Sequence, residues 1–364
     1  EVMRLMNPKT GEIPKNIRVK ELQFADRMVS SQRQSGVPEL TWTNRGPYNV
    51  GGRTRALAVD VNNENTILAG GVSGGLWKST DQGASWSKST STLDLQSITA
   101  IAQDTREGQD EVWYYATGEF RGNSARGFGA PYSGNGIFKS TDGGDSWSLL
   151  ASTSDDTPQD DSDDFDYNHE IAVNPVNGDI YVANVGGIYR SQNGGSSWSE
   201  VLDGSISQWS DVVISSAGNM YASTDVGGIF RSTTGDLGDW TNISSGSGMV
   251  HASGDRLELA LSSNDELLYM IGENGSAHQL WVFDEEFDTW TNRSANLPAL
   301  GGLTGNFTSQ GGYDLFIKVR PGDENFVVIG GTNLFRSTDG FATSINTPSQ
   351  NNPNWIGGYT ATNS

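Results

Sequence analysis

The residues with chemistry to offer are carboxylates, arginines and aromatics placed where short apolar runs end. Glu119, Glu170, Asp211 and Asp225 are the candidate acids. Two of them converging in a cleft would supply the paired carboxyl groups that glycoside hydrolysis needs. Arg53, Arg55, Arg121 and Arg126, with Tyr132, Tyr167, His169 and Trp209, are the candidate ligand contacts. Arg53 and Arg55 are two apart, which on a strand puts both side chains on one face. The bland reading of any one of these residues is a solvated or ion-paired loop position. The run from Asp155 to Asp166 is a third candidate, because Asp160, Asp161, Asp163, Asp164 and Asp166 are hard oxygen ligands suited to a structural Ca²⁺. A solvated acidic loop has the same composition.

Other chemistry is excluded. The chain has no cysteine, so disulfides, thiolate metal sites and cysteine nucleophiles are absent. His169, His251 and His278 are too scattered for a zinc motif, and nothing in the sequence requires a cofactor. Gly71-Val72-Ser73-Gly74-Gly75 fits G-x-S-x-G but lies between two strands, without the strand-turn-helix context that a nucleophile elbow needs. The net charge of −21 repels a phosphate backbone, so nucleic acid is not an expected partner. No apolar run reaches the length of a membrane helix, and the chain is not expected to span a membrane. It starts at Glu1 with no apolar leader, as a processed or cut chain does.

The elements that must hold these residues are visible as an internal repeat. Ser79-Thr80-Asp81-Gln82-Gly83-Ala84-Ser85-Trp86 recurs at Ser140–Trp147 and Ser191–Trp198, in stretched form at Ser232–Trp240, and in decayed form at Ser337–Gly340. Trp290 keeps the period where the motif is lost. Each copy follows an aliphatic–aromatic pair: Leu76-Trp77, Ile137-Phe138, Ile188-Tyr189, Ile229-Phe230, Leu280-Trp281 and Leu334-Phe335. Two more apolar strands precede each pair and one begins near each Trp. That makes four short strands per unit of about 50 residues, the signature of a propeller blade. Glycine fills 46 of 364 positions, about twice its usual share of about 7%, as tight turns require.

The motif S-x-D-x-G-x-x-W resembles the Asp-box, or BNR repeat, of sialidases, xyloglucan-degrading endoglucanases and sortilin-type propellers. The segments Trp42–Pro47, Gly51–Arg55 and Gly136–Lys139, with Asn7–Pro14 upstream, resemble exported sortilin-like proteins of Bacteroidetes. That resemblance implies a secreted or cell-surface protein whose partners include type IX secretion machinery. Thr224-Asp225-Val226-Gly227-Gly228 is similar to a catalytic segment of the xyloglucan-degrading enzymes, while Arg53-Thr54-Arg55 departs from the Arg-Ile-Pro motif of sialidases.

The expected architecture is all-β: a β-propeller of four-stranded Asp-box blades over 38–364, with six blades in this chain. An extension at 1–37 carries a helix from Ile17 to Ser31 packed on the propeller. Leu40–Arg45 reads as an outermost strand lacking inner partners, Ala342–Thr347 as the outer strand of the sixth blade, and the segment from Asn354 as the approach to another, giving seven or eight blades in the full protein. The Asp of each motif is assigned to its own turn, accepting hydrogen bonds there, and the Trp to the gap between blades. The loops at 119–135, 151–168 and 294–312 are expected on one face, opposite the motif turns, and that face is the one to carry function. Two functions fit: a propeller that recognises a glycan or protein ligand there, or a polysaccharide hydrolase or lyase using the candidate acids.

Overall fold

The computed structural model describes residues 52–364 apart from 92–96, 123–130, 155–163, 205–208, 226, 253, 275–276, 302–304, 345–352 and 359–364, together with residues 9, 17, 20, 21, 23, 24 and 27. Among the described residues 24 strands form six antiparallel four-stranded sheets, each built from consecutive strands. Blade 1 is β1 (Thr54–Val59), β2 (Ile67–Gly71), β3 (Gly75–Ser79) and β4 (Ser87–Lys88). Blade 2 is β5 (Ile98–Gln103), β6 (Trp113–Thr117), β7 (Ile137–Ser140) and β8 (Ser148–Leu149). Blade 3 is β9 (Asn168–Val173), β10 (Ile180–Asn184), β11 (Gly187–Ser191) and β12 (Ser199–Asp203). Blade 4 is β13 (Ser210–Ile214), β14 (Met220–Thr224), β15 (Gly228–Ser232) and β16 (Thr241–Asn242). Blade 5 is β17 (Leu257–Leu261), β18 (Leu267–Asn274), β19 (Ala277–Asp284) and β20 (Thr289–Asn292). Blade 6 is β21 (Phe316–Arg320), β22 (Asp323–Gly330), β23 (Asn333–Ser337) and β24 (Trp355–Gly358). The fold is a six-bladed β-propeller.

One strand differs from expectation. The outer strand of blade 6 is β24, paired to β23 through Leu334 opposite Gly357 and Phe335 opposite Trp355. Ala342 and Thr343 lie instead in the turn after β23, and 345–352 fall outside the described residues. The segment at Trp355 therefore completes the sixth blade instead of opening a seventh. Leu40–Arg45 also lies outside the described residues. In the N-terminal extension, residues 17, 20, 21, 23, 24 and 27 are helical, within the span expected for a helix.

Apolar faces glue successive blades, because both faces of an inner sheet must leave water. Leu68 and Leu76 of blade 1 meet Trp113, Tyr115 and Phe138 of blade 2. Equivalent clusters join blades 2 and 3, 3 and 4, 4 and 5, and 5 and 6. Tryptophans of three repeats tie their blade to the one before: Trp147 Nε1 donates to Ser89 Oγ (2.7 Å), Trp198 Nε1 to Ser152 Oγ (3.2 Å) and Trp290 Nε1 to the Ile243 carbonyl (2.8 Å). In blade 1 the matching face stays open. Leu57 is 67% exposed, Val59 47% and Trp77 40%, and Trp86 Nε1 turns back to its own Gly83 carbonyl.

The repeated turns explain themselves. Ser79 Oγ donates to Asp81 Oδ1, whose carboxylate also takes the Ser85 N–H (2.8 Å) and Ser85 Oγ (2.6 Å). Asp142 repeats the pattern with Ser140 and Ser146, and Asp339 with Ser337 and Thr343. In the stretched copy Asp239 supplies the carboxylate from seven residues beyond Ser232. These turns share a face with the first hairpin turn of each blade, since Gln82 N donates to the Asn65 carbonyl and Gly143 N to the Glu111 carbonyl. The described parts of the long loops lie on the other face; residues 123–130, 155–163 and 302–304 of them fall outside the described residues. Gly134 N donates to the Asp166 carbonyl, Asn168 N to the Gly118 carbonyl and Thr332 N to the Thr308 carbonyl. Gly118 has φ +97°, and a Cβ there would lie 1.9 Å from the Asp166 oxygen, so only glycine lets the first two loops cross.

Candidate functional site at the propeller mouth

On the long-loop face the leading ends of the innermost strands bring charge into a confined space. Arg53 and Arg55 enter and begin β1, Glu170 lies on β9, Asp211 on β13, Glu258 on β17 and Lys318 on β21. Glu119 comes from the loop after β6, where it forms an isolated antiparallel bridge with Tyr132. Arg53 donates to Glu119 Oε2 and to the Tyr313 hydroxyl, and its guanidinium lies 5.1 Å from the Tyr313 ring centroid. Arg55 Nη1 donates to the Tyr313 carbonyl (3.2 Å). Arg256 Nη1 donates to the Gly312 carbonyl (2.7 Å), its Nε to Glu258 Oε1 (2.6 Å), and its guanidinium lies 4.8 Å from the Trp209 ring. The His169 ring sits 5.3 Å from Trp209. Three arginines thus converge on the loop around Tyr313.

Burial governs the electrostatics. It pushes the Glu119 carboxyl up, against the pull of Arg55 and Arg53. It raises Glu170, where Lys318 opposes and Glu258 adds to the rise. Asp211 is raised well above the carboxylate range by burial, then by Glu258 and Glu170. Burial next to Arg256 lowers the Arg55 guanidinium to about 10, which leaves it charged at neutral pH. The same burial, with Arg256 and Arg55 nearby, holds His169 well below its usual value and therefore neutral.

Among the polar atoms buried here without a hydrogen-bond partner among the described residues are Glu119 Oε1, on a residue 2% exposed, and His169 Nε2, on a residue 9% exposed. Such atoms cost free energy unless something satisfies them.

The structure thus gathers Arg53, Arg55, Glu119, His169, Glu170, Trp209 and Asp211. Asp211 is heavily engaged, because its Oδ1 accepts from Val212 N and its Oδ2 from Leu259 N, both at 2.7 Å. Asp225 sits where blades 4 and 5 meet, accepting from Gly254 N (2.7 Å). Tyr167 packs edge-on to Phe120, and Tyr132 is exposed beside Glu119. Arg121 is described and half-buried, whereas Arg126 lies outside the described residues. So do Asp160, Asp161 and Asp163, while Asp164 and Asp166 are described. Among the described residues no group of three or more His, Asp or Glu side chains is placed to hold a metal ion. No helix among them is long and apolar enough to cross a membrane.

Sequence reading missed Arg256, Glu258, Tyr313 and Lys318. One signal for two of them was available. Arg256-Leu257-Glu258 opens β17 with the same charged-x-charged alternation by which Arg53-Thr54-Arg55 opens β1.

No family model and no curated protein matches the chain. Among solved structures it is similar to the GH74 xyloglucanase from Xanthomonas campestris, at 19% identity over 80% of this chain and 45% of that one, with a TM-score of 0.57. It is similar to an ancestral GH74 enzyme at 21% identity over 88% of this chain and 40% of that one, TM-score 0.57. YCF48 bound to D1 peptide matches at 18% identity over 85% of this chain and 87% of that one, TM-score 0.51. The chain spans less than half the length of these two GH74 structures. At such identities the likeness is one of fold, and the fold is the β-propeller.

Proposed function

We propose that the protein is a ligand-binding β-propeller that recognises a glycan or protein at the mouth on its long-loop face, without catalysing a reaction. The observation that carries this reading is the state of the mouth. Two of its acids are committed, Glu119 through Oε2 to Arg53 and Asp211 to two backbone N–H groups, while buried Glu119 Oε1 and His169 Nε2 have no hydrogen-bond partner among the described residues. Convergent polar groups of this kind on a rigid scaffold suit recognition. The scaffold serves both ligand classes elsewhere, since one structural neighbour is a xyloglucanase and another holds a D1 peptide. Export to the cell surface through type IX machinery belongs to the same proposal and rests on the sequence resemblance of Asn7–Pro14 and Gly51–Arg55. Cell fractionation of the native host tests that part.

The enzymatic reading is supported by one observation, the upward shift of the Glu170 and Asp211 carboxyls by burial, since a hydrolase's general acid is a carboxyl raised in this direction. A panel of polysaccharides and peptides, scored separately for binding and for product release, decides between the two. Binding without product supports recognition; new reducing or unsaturated ends support the enzyme.

A further inference from the structure

Beneath the Tyr313 loop lies a serine, a histidine and a glutamate in mutual contact. Ser309 Oγ is 2.7 Å from His278 Nε2 and donates to Glu273 Oε1 at 3.2 Å. The trio has the composition of a hydrolytic triad, but the geometry forbids that role. Ser309 is 0% exposed, and its own backbone N–H also points at His278 Nε2 (3.2 Å), so the hydroxyl faces inward and no substrate reaches it.

What the trio does hold is the loop that the arginines grip. Gly312 N donates to Ser309 Oγ (3.0 Å), and Asp314 N to the Ser309 carbonyl (3.3 Å). Gly312 takes φ +74° against Glu273, where a Cβ would come within 2.6 Å of Oε2. Glu273 N in turn donates to the Arg256 carbonyl (3.1 Å), which links the trio to the strand bearing one of the arginines. The carbonyls of Gly312 and Tyr313 then receive Arg256 and Arg55, and the Tyr313 hydroxyl receives Arg53.

We propose that Glu273, Ser309 and His278 are positioning residues that fix the Tyr313 loop and so preset the three mouth arginines for ligand. This rests on the mouth being the binding site. Without the Ser309 hydroxyl, the Gly312 N–H loses its partner, the loop shifts and the two carbonyls no longer restrain Arg55 and Arg256. No proton or bond is exchanged with ligand by any of the three.

The test uses phenylglyoxal, which modifies accessible arginines, with mass spectrometry to read each site in the folded protein. Ser309→Ala and His278→Ala are expected to raise labelling of Arg55 and Arg256 roughly tenfold, the scale of one lost buried hydrogen bond. Labelling of Arg190, paired with Asp179 and Asp236 on the opposite face, should stay constant. His278→Gln, whose amide oxygen can accept from Ser309, should restore most of the protection. Unchanged Arg55 and Arg256 labelling in both alanine variants, or equal gains at Arg190, overturns the proposal. Binding of xyloglucan and of a peptide library by the same variants separates the two readings. Altered labelling with binding unchanged leaves the positioning role in place and removes the mouth as the binding site.

Discussion

The two faces of the propeller treat the same functional group in opposite ways. On the motif-turn face, Asp81, Asp142 and Asp239 are exposed carboxylates saturated by hydroxyl and backbone N–H donors from their own turns, and their pKa values fall to about 2. At the mouth, Glu119, Glu170 and Asp211 are withdrawn from water, and burial drives them upward, for Glu119 and Glu170 against the pull of arginine. Local donors make a carboxylate structural and permanently charged; burial among groups from several blades leaves it poised to change state or partner. The first arrangement needs seven or eight consecutive residues. The second needs strands from several blades.

The largest expected break in this contrast is Arg256→Ala. It strands Glu258 and the Gly312 carbonyl in the mouth, and unpairing a largely buried charge costs about 3 kcal/mol. Denaturant unfolding should show that loss, and ligand binding should disappear. On the other face, Ser140→Ala removes a buried hydroxyl that donates to Asp142 and accepts from Gly144 N, for about 1–2 kcal/mol. Binding should be untouched, so the two variants separate stability from recognition.

The opposite pKa shifts give opposite pH dependences. The turn aspartates bind protons more weakly folded than unfolded, so their contribution is present above about pH 4 and is lost as pH falls toward about 2. The melting temperature deficit of Asp142→Asn should therefore shrink to nothing across that interval. Glu119 is held more strongly protonated in the folded state, so ionisation opposes folding as pH rises above the ordinary carboxylate range. The melting temperature of Glu119→Gln relative to wild type should become more favourable over that rise. Both curves come from calorimetry in matched buffers.

The same contrast explains what was legible in the sequence. The spacing of Ser79, Asp81, Gly83 and Trp86, repeated along the chain, carries the blade count and the face of the turns, because each turn is closed by neighbours in sequence. Glu119, Glu170 and Asp211 were nameable as charged residues at strand ends, but their mutual approach depends on how blades distant in sequence are arranged. Arg256 and Tyr313 were overlooked for the same reason. The outer strand of blade 6 was misplaced because Trp355 lies 18 positions after Ser337 and the motif Trp that normally marks that strand is replaced by Ser344.

The central claim is that ligand is bound, unchanged, at the mouth. Isothermal titration of the best binder from the panel into wild type, Arg55→Ala and Ser140→Ala, with the same mixtures assayed for product, tests it directly. The account predicts equal affinity for wild type and Ser140→Ala, loss of at least about tenfold for Arg55→Ala, and no product. Full affinity in Arg55→Ala, or release of cleaved ligand by wild type, would contradict it.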